Sequence, residues 1–298
     1  MNSYTNNKKI IAVLPAYNAA KTLQQTLDAI PKEWIDDIIL VDDCSKDNTA
    51  EVARSLGLRT IVHEKNTGYG GNQKTCYKEA LRLGADIVVM IHPDFQYDPY
   101  FIPELIRPIA FGKADVSLGS RMMIKRNALR GGMPWWKFVA NIGLTWVENI
   151  VLGLRLTEYH TGFRAYSKKV LETLPYELDS DDFVFDSEII VQARIANLTF
   201  AQTPIETKYF PEASMIGFQR SVKYGFSILG VLRKYILFRF GLYSSPQFII
   251  RSKDLAGSIA QSNPDGTPAF GEVVYASYKN KTEAENAHHR GDEITHGG

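Results

Sequence analysis

The chain has 298 residues, 45% of them hydrophobic and 22% charged, with a net charge of +1. That length and apolar content support one large core, and the near-neutral balance gives no case for nucleic acid as a partner, which calls for a bulk basic surplus or a recognisable module. Two cysteines, Cys44 and Cys76, exclude a disulfide framework and a cysteine zinc site and point to a reducing compartment.

Residues 9–14 are an apolar run that reads as a first buried strand, stopped by Pro15 and followed by Ala16, Tyr17 and Asn18 and a helix over about 20–30. A second strand over 38–41 runs into Asp42-Asp43-Cys44-Ser45. The helix after it can take Ser45 or Asp47 as N-cap, and Gly57 suits the position just past its end. Paired carboxylates at a strand end suit recognition of a base or ribose, because each accepts hydrogen bonds from adjacent donors; the plainer reading is a turn plus a cap. A third strand over 60–63 feeds Asn66-Thr67-Gly68-Tyr69-Gly70-Gly71, whose glycines permit close backbone approach at the start of a helix running to about residue 83. The Gly-Lys-Ser/Thr ending of a phosphate-binding P-loop is absent, and a dinucleotide fingerprint would follow the first strand rather than the third.

The run over 87–91 ends in His92-Pro93-Asp94-Phe95-Gln96. A buried strand that ends in metal-capable side chains marks the edge of an open α/β sheet where ligands bind. His92, Asp94 and Gln96 occupy alternate positions, so an extended segment would turn all three to one side, where they could hold one cation. Alternatively, Asp94 caps the helix that follows, with Pro99 near its start, and His92 is an ordinary loop histidine.

Two acid-free windows come later. Residues 116–147 hold Arg121, Lys125, Arg126, Arg130 and Lys137 beside Trp135, Trp136, Phe138 and Trp146, and residues 213–253 hold Arg220, Lys223, Arg233, Lys234 and Arg239 among Phe218, Tyr224, Phe226 and other apolar residues. Apolar helices with basic edges and boundary Trp or Tyr suit a membrane interface; the alternative is two core helices with solvated charges. Neither window offers the ~20 uncharged residues of a spanning helix. The polar start followed by a strand-length apolar run does not read as a secretory signal, so the expected location is cytoplasmic, with peripheral contact at the inner face of the membrane. His63 reads as structural.

Taken in order, Pro15-Ala16-Tyr17-Asn18, Asp42-Asp43-Cys44-Ser45-x-Asp47-x-Thr49, Asn66-x-Gly68-x-Gly70-Gly71, Asp94-x-Gln96, Gly119-Ser120-Arg121, Thr161-Gly162-Phe163-Arg164-Ala165 and Phe185-x-x-Glu188 resemble the inverting family 2 glycosyltransferases of GT-A fold, most of all dolichyl- or polyprenyl-phosphate sugar synthases. The likeness spans about residues 8–240. It implies a single Rossmann-like α/β domain over 1–240, with a core over about 8–212 in which helices flank a mixed, mainly parallel sheet. A basic, amphipathic C-terminal helix over about 213–240 and a polar tail over 241–298 would follow. It also implies a nucleotide sugar held at Pro15, Tyr17, Asn18, Asp42, Asp43, Gly70, Asp94 and Gln96. Mn²⁺ or Mg²⁺ would sit on His92, Asp94 and Gln96, and Arg121, Arg164 and His160 would lie near the phosphates or acceptor. Asp94, Arg121 and Arg164 would carry catalysis.

Three departures from the family pattern stand out: His92 replaces the first acid of the metal segment, Ala19 replaces a glutamate, and Cys44 stands where relatives commonly have glycine. A histidine in that place favours Mn²⁺ over Mg²⁺, or direct contact with the diphosphate. A lipid-phosphate acceptor is already anionic and needs no strong base. A saccharide hydroxyl needs one, and Asp186 or Glu188 are the candidates, unless both are solvent-facing acids at a helix start. A non-catalytic sugar-nucleotide binder is the third reading. His160 is a further candidate for the acceptor side. The tail from about residue 255 is poorly patterned, with one strand-like stretch, Val273-Val274-Tyr275. Which base and sugar the chain uses, and its oligomeric state, have no signature in the sequence.

Overall fold

A computed structural model describes residues 5–207, 217–250 and 273–275. In chain order the elements are β1 (Ile10–Ala16), α1 (Leu23–Ala29), β2 (Asp37–Asp42), α2 (Thr49–Ser55), β3 (Arg59–Val62), α3 (Gly68–Arg82), β4 (Ile87–Met90), α4 (Ile102–Ala110), β5 (Val116–Ser120), α5 (Lys125–Arg130), α6 (Trp135–Leu152), β6 (Arg164–Ser167), α7 (Lys168–Thr173), α8 (Phe185–Ile195), β7 (Phe200–Pro204), α9 (Phe218–Arg239) and β8 (Val273–Tyr275). The strands form one sheet in the order β3-β2-β1-β4-β6-β5-β7-β8. Pairing is parallel except at β6, which runs antiparallel to both β4 and β5. The expected mixed, mainly parallel sheet is present.

Alternation along the central strands divides the core. Ile11, Val13, Ile39, Val41, Val88 and Met90 face the side packed by α3, α8 and α9, and Ile10, Ala12, Leu14, Leu40, Ile87 and Val89 face the side packed by α1 and α4. Strands buried on both faces read as unbroken apolar runs, and this is why β1 and β4 are so plain in the sequence.

Pro15 does not stop β1, which pairs with β2 as far as Ala16. The Val13 carbonyl accepts from the Ile91 amide, and Pro15 faces the same side two residues later, past the last β4 partner, where no amide donor is needed. Gly57 adopts φ +74 just past α2, as expected, but neither Ser45 nor Asp47 is the N-cap residue, which is Asn48. After β4, the capping residue is Asp98, whose carboxylate accepts from the Tyr100 amide with Pro99 at the first helical position.

Residues 241–250 do not behave as the start of a tail. Phe248 is buried against Phe238 and Tyr243, and the Gln247 amide reaches Asp179. Val273–Tyr275 pairs with β7, and the rest of the polar segment expected over 241–298 lies outside the described residues from 251 onward. No helix among the described residues is long and apolar enough to cross a membrane.

Candidate active site

The carboxyl ends of β1, β2 and β4 open on a cavity of about 520 Å³. Pro15, Tyr17, Asn18, Asp43, His92, Asp94 and Gln96 line one end, and Arg121, Lys137, Asn141, His160, Arg220 and Tyr224 line the other, with Tyr69 and Asp186 on the wall.

At the first end, local loops hold the polar groups. Asp43 Oδ1 accepts from the Thr67 amide (2.8 Å) and hydroxyl (2.7 Å), Oδ2 accepts from the Gly68 amide (3.0 Å), and His63 Nδ1 lies 2.8 Å from Oδ1. The acid doublet therefore divides: Asp43 faces the cavity, whereas Asp42 turns into its own loop and accepts from the Ser45 amide and hydroxyl without lining the cavity. Asn18 adopts φ +53 and its side chain accepts from the Lys46 amide at 2.8 Å, which joins the β1 and β2 loops. Gly70 was expected at the nucleotide and is elsewhere. Its amide donates to Asp181 O, and a Cβ there would come within 2.2 Å of Ser180 O and 2.8 Å of Phe185 Cβ, so the glycine serves close packing of α3 on the 180–185 segment.

The metal-capable segment is a turn rather than an extended run. Phe95 adopts φ +55, and Asp94 Oδ1 accepts from the Gln96 amide at 3.0 Å. Alternate-side projection is thus not what gathers His92, Asp94 and Gln96, yet all three reach the cavity. The His92 ring lies against Gly162, where a Cβ would sit 2.7 Å from two ring atoms, and its Nε2 is 3.3 Å from the Tyr69 hydroxyl. Burial, and after it the Asp186 charge, push the Tyr69 hydroxyl well above its ordinary pKa. Its one proton goes to Asp186 Oδ2 at 2.8 Å, so in the contact with Tyr69 the His92 Nε2 is the donor and the Tyr69 oxygen accepts. The donor set is one carboxylate, one imidazole and one amide; no group of three His, Cys, Asp or Glu occurs among the described residues. Among the described residues Asp94 Oδ2 has no hydrogen bond, and a mixed nitrogen and oxygen set of this kind fits Mn²⁺ better than Mg²⁺.

At the other end the charges are paired over long sequence distances. Arg121 donates from its amide to Glu158 Oε2 (2.7 Å), from Nε to Glu158 Oε1 (2.8 Å) and from a terminal nitrogen to the His160 carbonyl (2.7 Å), and Asn141 of α6 donates to the same Glu158. Burial alone would raise the Glu158 pKa, but Arg121 outweighs it and the carboxylate is held below its ordinary value. Arg164, expected at the phosphates or acceptor, is fully buried and does not line the cavity. Its guanidinium donates to the carbonyls of Thr161, Tyr159 and Asp186 and pairs with Asp186 Oδ2 at 3.2 Å, so it acts by fixing the 159–161 loop and Asp186.

The two candidate bases are also committed. Asp186 receives Tyr69 at Oδ2 and Gln73 Nε2 at Oδ1 (3.3 Å) as well as Arg164, and Glu188 accepts from the Ser180 amide at 2.6 Å away from the cavity. Neither faces solvent, since both are 5% exposed. His160 does reach the cavity, with Nε2 2.9 Å from Glu148 Oε2 and its ring edge-on to Tyr224 at 5.9 Å.

The residue reading missed Tyr69, Lys137, Arg220 and Tyr224 as cavity residues. Three of them stand in the acid-free windows, which was the available signal. Neither Lys137 nor Arg220 has a carboxylate partner among the described residues, and burial together with the Arg121 charge lowers the Lys137 pKa.

The sequence profile described as glycosyl transferase family 2 matches residues 11–174. The chain belongs to glycosyl transferase family 2. It is 33% identical over 220 residues to the UDP-N-acetylglucosamine–dolichyl-phosphate N-acetylglucosaminyltransferase of Methanococcus voltae, a match covering 68% of this chain and 87% of that protein. It is 25% identical over 211 residues to the undecaprenyl-phosphate mannosyltransferase of Micrococcus luteus, covering 66% of this chain and 82% of that one. Its fold is that of the glucosyl-3-phosphoglycerate synthase of Mycobacterium tuberculosis, solved with Mn²⁺, UDP and glucosyl-3-phosphoglycerate (TM-score 0.60, 19% identity, 82% of this chain and 84% of that one). The family and the fold bear out the resemblance on which the GT-A expectation stood, and make the chain a hexosyltransferase.

For a glycosyltransferase the two ends have distinct chemistry. The strand-end loops present a carboxylate, an amide and an imidazole. The helical end offers Arg121, Lys137, Arg220 and His160, a set of donors suited to an anionic group.

Proposed function

We propose that the chain moves a sugar from a UDP- or GDP-linked donor to a polyprenyl or dolichyl phosphate at the cytosolic face of a membrane. One observation carries this reading: the cationic end of the cavity is walled by α6 and α9, and those helices turn large apolar side chains outward beside it. Trp135, Val139, Trp146 and Ile150 of α6 are 74%, 59%, 66% and 61% exposed, and Phe226 of α9 is 71% exposed. An apolar surface of this size, edged by exposed Arg220, Lys223 and Arg233, suits the headgroup region of an anionic membrane, where a lipid acceptor is found. The dolichyl- and undecaprenyl-phosphate substrates named for two relatives support the same acceptor class.

The chemistry agrees. A lipid phosphate oxygen attacks the anomeric carbon from the face opposite the nucleoside diphosphate; the new C–O bond forms as the bond to the diphosphate breaks, and the configuration inverts. An anionic nucleophile needs no base, and Asp186 and Glu188 are occupied as ion-pair and hydrogen-bond partners. Arg121, Lys137, Arg220 and His160 would draw the acceptor phosphate in and offset its charge. Asp43 and Asn18 would hold the nucleoside. Asp94, Gln96 and His92 would hold Mn²⁺ or Mg²⁺, which when bound neutralises charge on the departing diphosphate. Asp186 and Arg164 keep Tyr69 and His92 in place.

The test is transfer of radiolabel from a panel of UDP- and GDP-sugars to polyprenyl phosphate in detergent, with Mn²⁺ and Mg²⁺ in parallel. Label in the organic phase is the expected outcome. Nucleoside diphosphate release that requires an added saccharide, with no lipid product, would overturn the acceptor assignment.

A further inference from the structure

Helix α6 is built inside out. Its outer face carries the exposed tryptophans, while its inner face carries Asn141, Thr145 and Glu148 at helical spacing, 7%, 6% and 1% exposed. A surface helix ordinarily buries its apolar stripe and solvates its polar one. The inner stripe has specific partners: Asn141 donates to Glu158 (2.9 Å), Thr145 donates to Asn141 (3.3 Å), and Glu148 Oε2 meets His160 Nε2 at 2.9 Å. Those last two atoms stand at ion-pair distance, and among the described residues neither has a partner in hydrogen-bonding geometry.

A buried carboxylate in an apolar helix is costly, and a well-packed apolar pair would serve stability as well or better. What Glu148 supplies is position. His160 is the point where three elements converge: Glu148 of α6 approaches its ring nitrogen, Tyr224 of α9 stands nearly perpendicular to its ring, and Arg121, which follows β5, donates to its carbonyl. We propose that Glu148 is a positioning residue which sets the His160 ring, and through the His160 carbonyl Arg121, for the phosphate of the acceptor, so that the helix carrying the apolar outer face also fixes the acceptor end. The inference rests on the lipid-phosphate reading above and deepens it.

Transfer kinetics of the full chain with Glu148→Ala, Glu148→Gln, Glu148→Asp, His160→Ala and the Glu148→Ala/His160→Ala double variant test it, with thermal unfolding recorded for each. Loss of one buried polar contact predicts that Glu148→Ala raises KM for polyprenyl phosphate about tenfold while KM for the sugar nucleotide moves less than about twofold. Glu148→Gln, which retains a polar partner for the ring, should return acceptor KM to within about threefold of the parent, and the double variant should be no worse than His160→Ala alone. A purely structural role would lower the melting temperature and kcat without splitting the two KM values. If Glu148→Ala does not fold, Glu148→Asp retains the charge and withdraws it by one methylene, and should raise acceptor KM alone. Unchanged acceptor KM in a folded variant, or effects of Glu148 and His160 that simply add, would overturn the inference and leave the acceptor assignment standing. Absence of transfer to any lipid phosphate by the unsubstituted protein would overturn both.

Discussion

The two ends of the cavity hold their polar groups by different means. At the strand-end side, Asp43, Asn18 and Asp94 are fixed by backbone amides and by side chains from neighbouring loops, His63 among them. At the helical end, Arg121 and His160 each meet a buried acid, Glu158 and Glu148, and Arg164 behind the wall meets Asp186. Loops at strand ends can present charge to a ligand because they remain partly solvated, whereas a charge inside a helical layer must find a partner within the protein. The first end is thus held by local loops, and the second is a braced frame in which few charges lack a carboxylate partner among the described residues, Lys137 and Arg220 among them.

This contrast predicts different failures on removing an acid from each end. Asp94→Ala should lower turnover by about 10²–10³-fold with the melting temperature unchanged, as expected for a group that would hold the cation offsetting charge on the leaving diphosphate. Steady-state rates with thermal unfolding check it, and an unchanged rate would remove Asp94 from the diphosphate site. Asp186→Ala should instead destabilise the fold by about 3 kcal/mol, because it strands the buried Arg164 guanidinium. A stable but inactive Asp186→Ala protein would make Asp186 a base and erase the difference between the ends.

The same contrast explains what was legible in the sequence. The strands over 9–14, 38–41 and 87–91 showed as apolar runs because they are buried on both faces, and the loops after them showed as clusters of Asp, Asn and Gly because their hydrogen bonds are local. Cys44 belongs to this group: its φ of +59 lies in the left-handed region that favours glycine, the residue the family resemblance led one to expect there. The helical end was hidden. Arg121 and Glu158 are 37 positions apart, and Tyr69 and Asp186 are 117 apart, so nothing in local spacing says that these charges spend themselves on each other. Arg164 and Glu188 accordingly read as site residues when their roles are internal. The acid-free windows marked α6 and α9 correctly as unusual, but Glu148, just past the first window, gave no hint that it would face inward.

A smaller effect is expected on the outer face of the frame. Trp146→Glu with Phe226→Glu places two carboxylates on the exposed apolar surface and should weaken sedimentation with anionic vesicles about tenfold or more, while kcat with a short-chain acceptor in detergent stays within about twofold. Equal loss in both assays would mean that the face packs against protein rather than lipid.

The smallest and most specific effect concerns a buried acid that has no cation to meet. Asp179 lies beneath α8, its Oδ1 accepting from Gln192 (2.6 Å) and Gln247 (2.8 Å), and burial pushes its carboxyl from 3.8 to about 8, with the Gln247 hydrogen bond opposing and the Glu188 charge adding to the rise. Between about pH 4 and 8 the carboxyl is protonated in the folded chain and ionised in the unfolded one. Unfolding then releases a proton, so the stabilisation present at low pH is lost as pH rises through that window. Asp179→Asn, which mimics the protonated carboxyl, should gain stability over the parent progressively as pH rises from about 4 to 8, and the gain should vanish near pH 4. Melting temperatures of the two proteins across that range decide the point. A pH-independent difference would mean that Asp179 is ionised in the fold, and would make it one more charge of the braced frame with a cation, such as Lys74, as its counterpart.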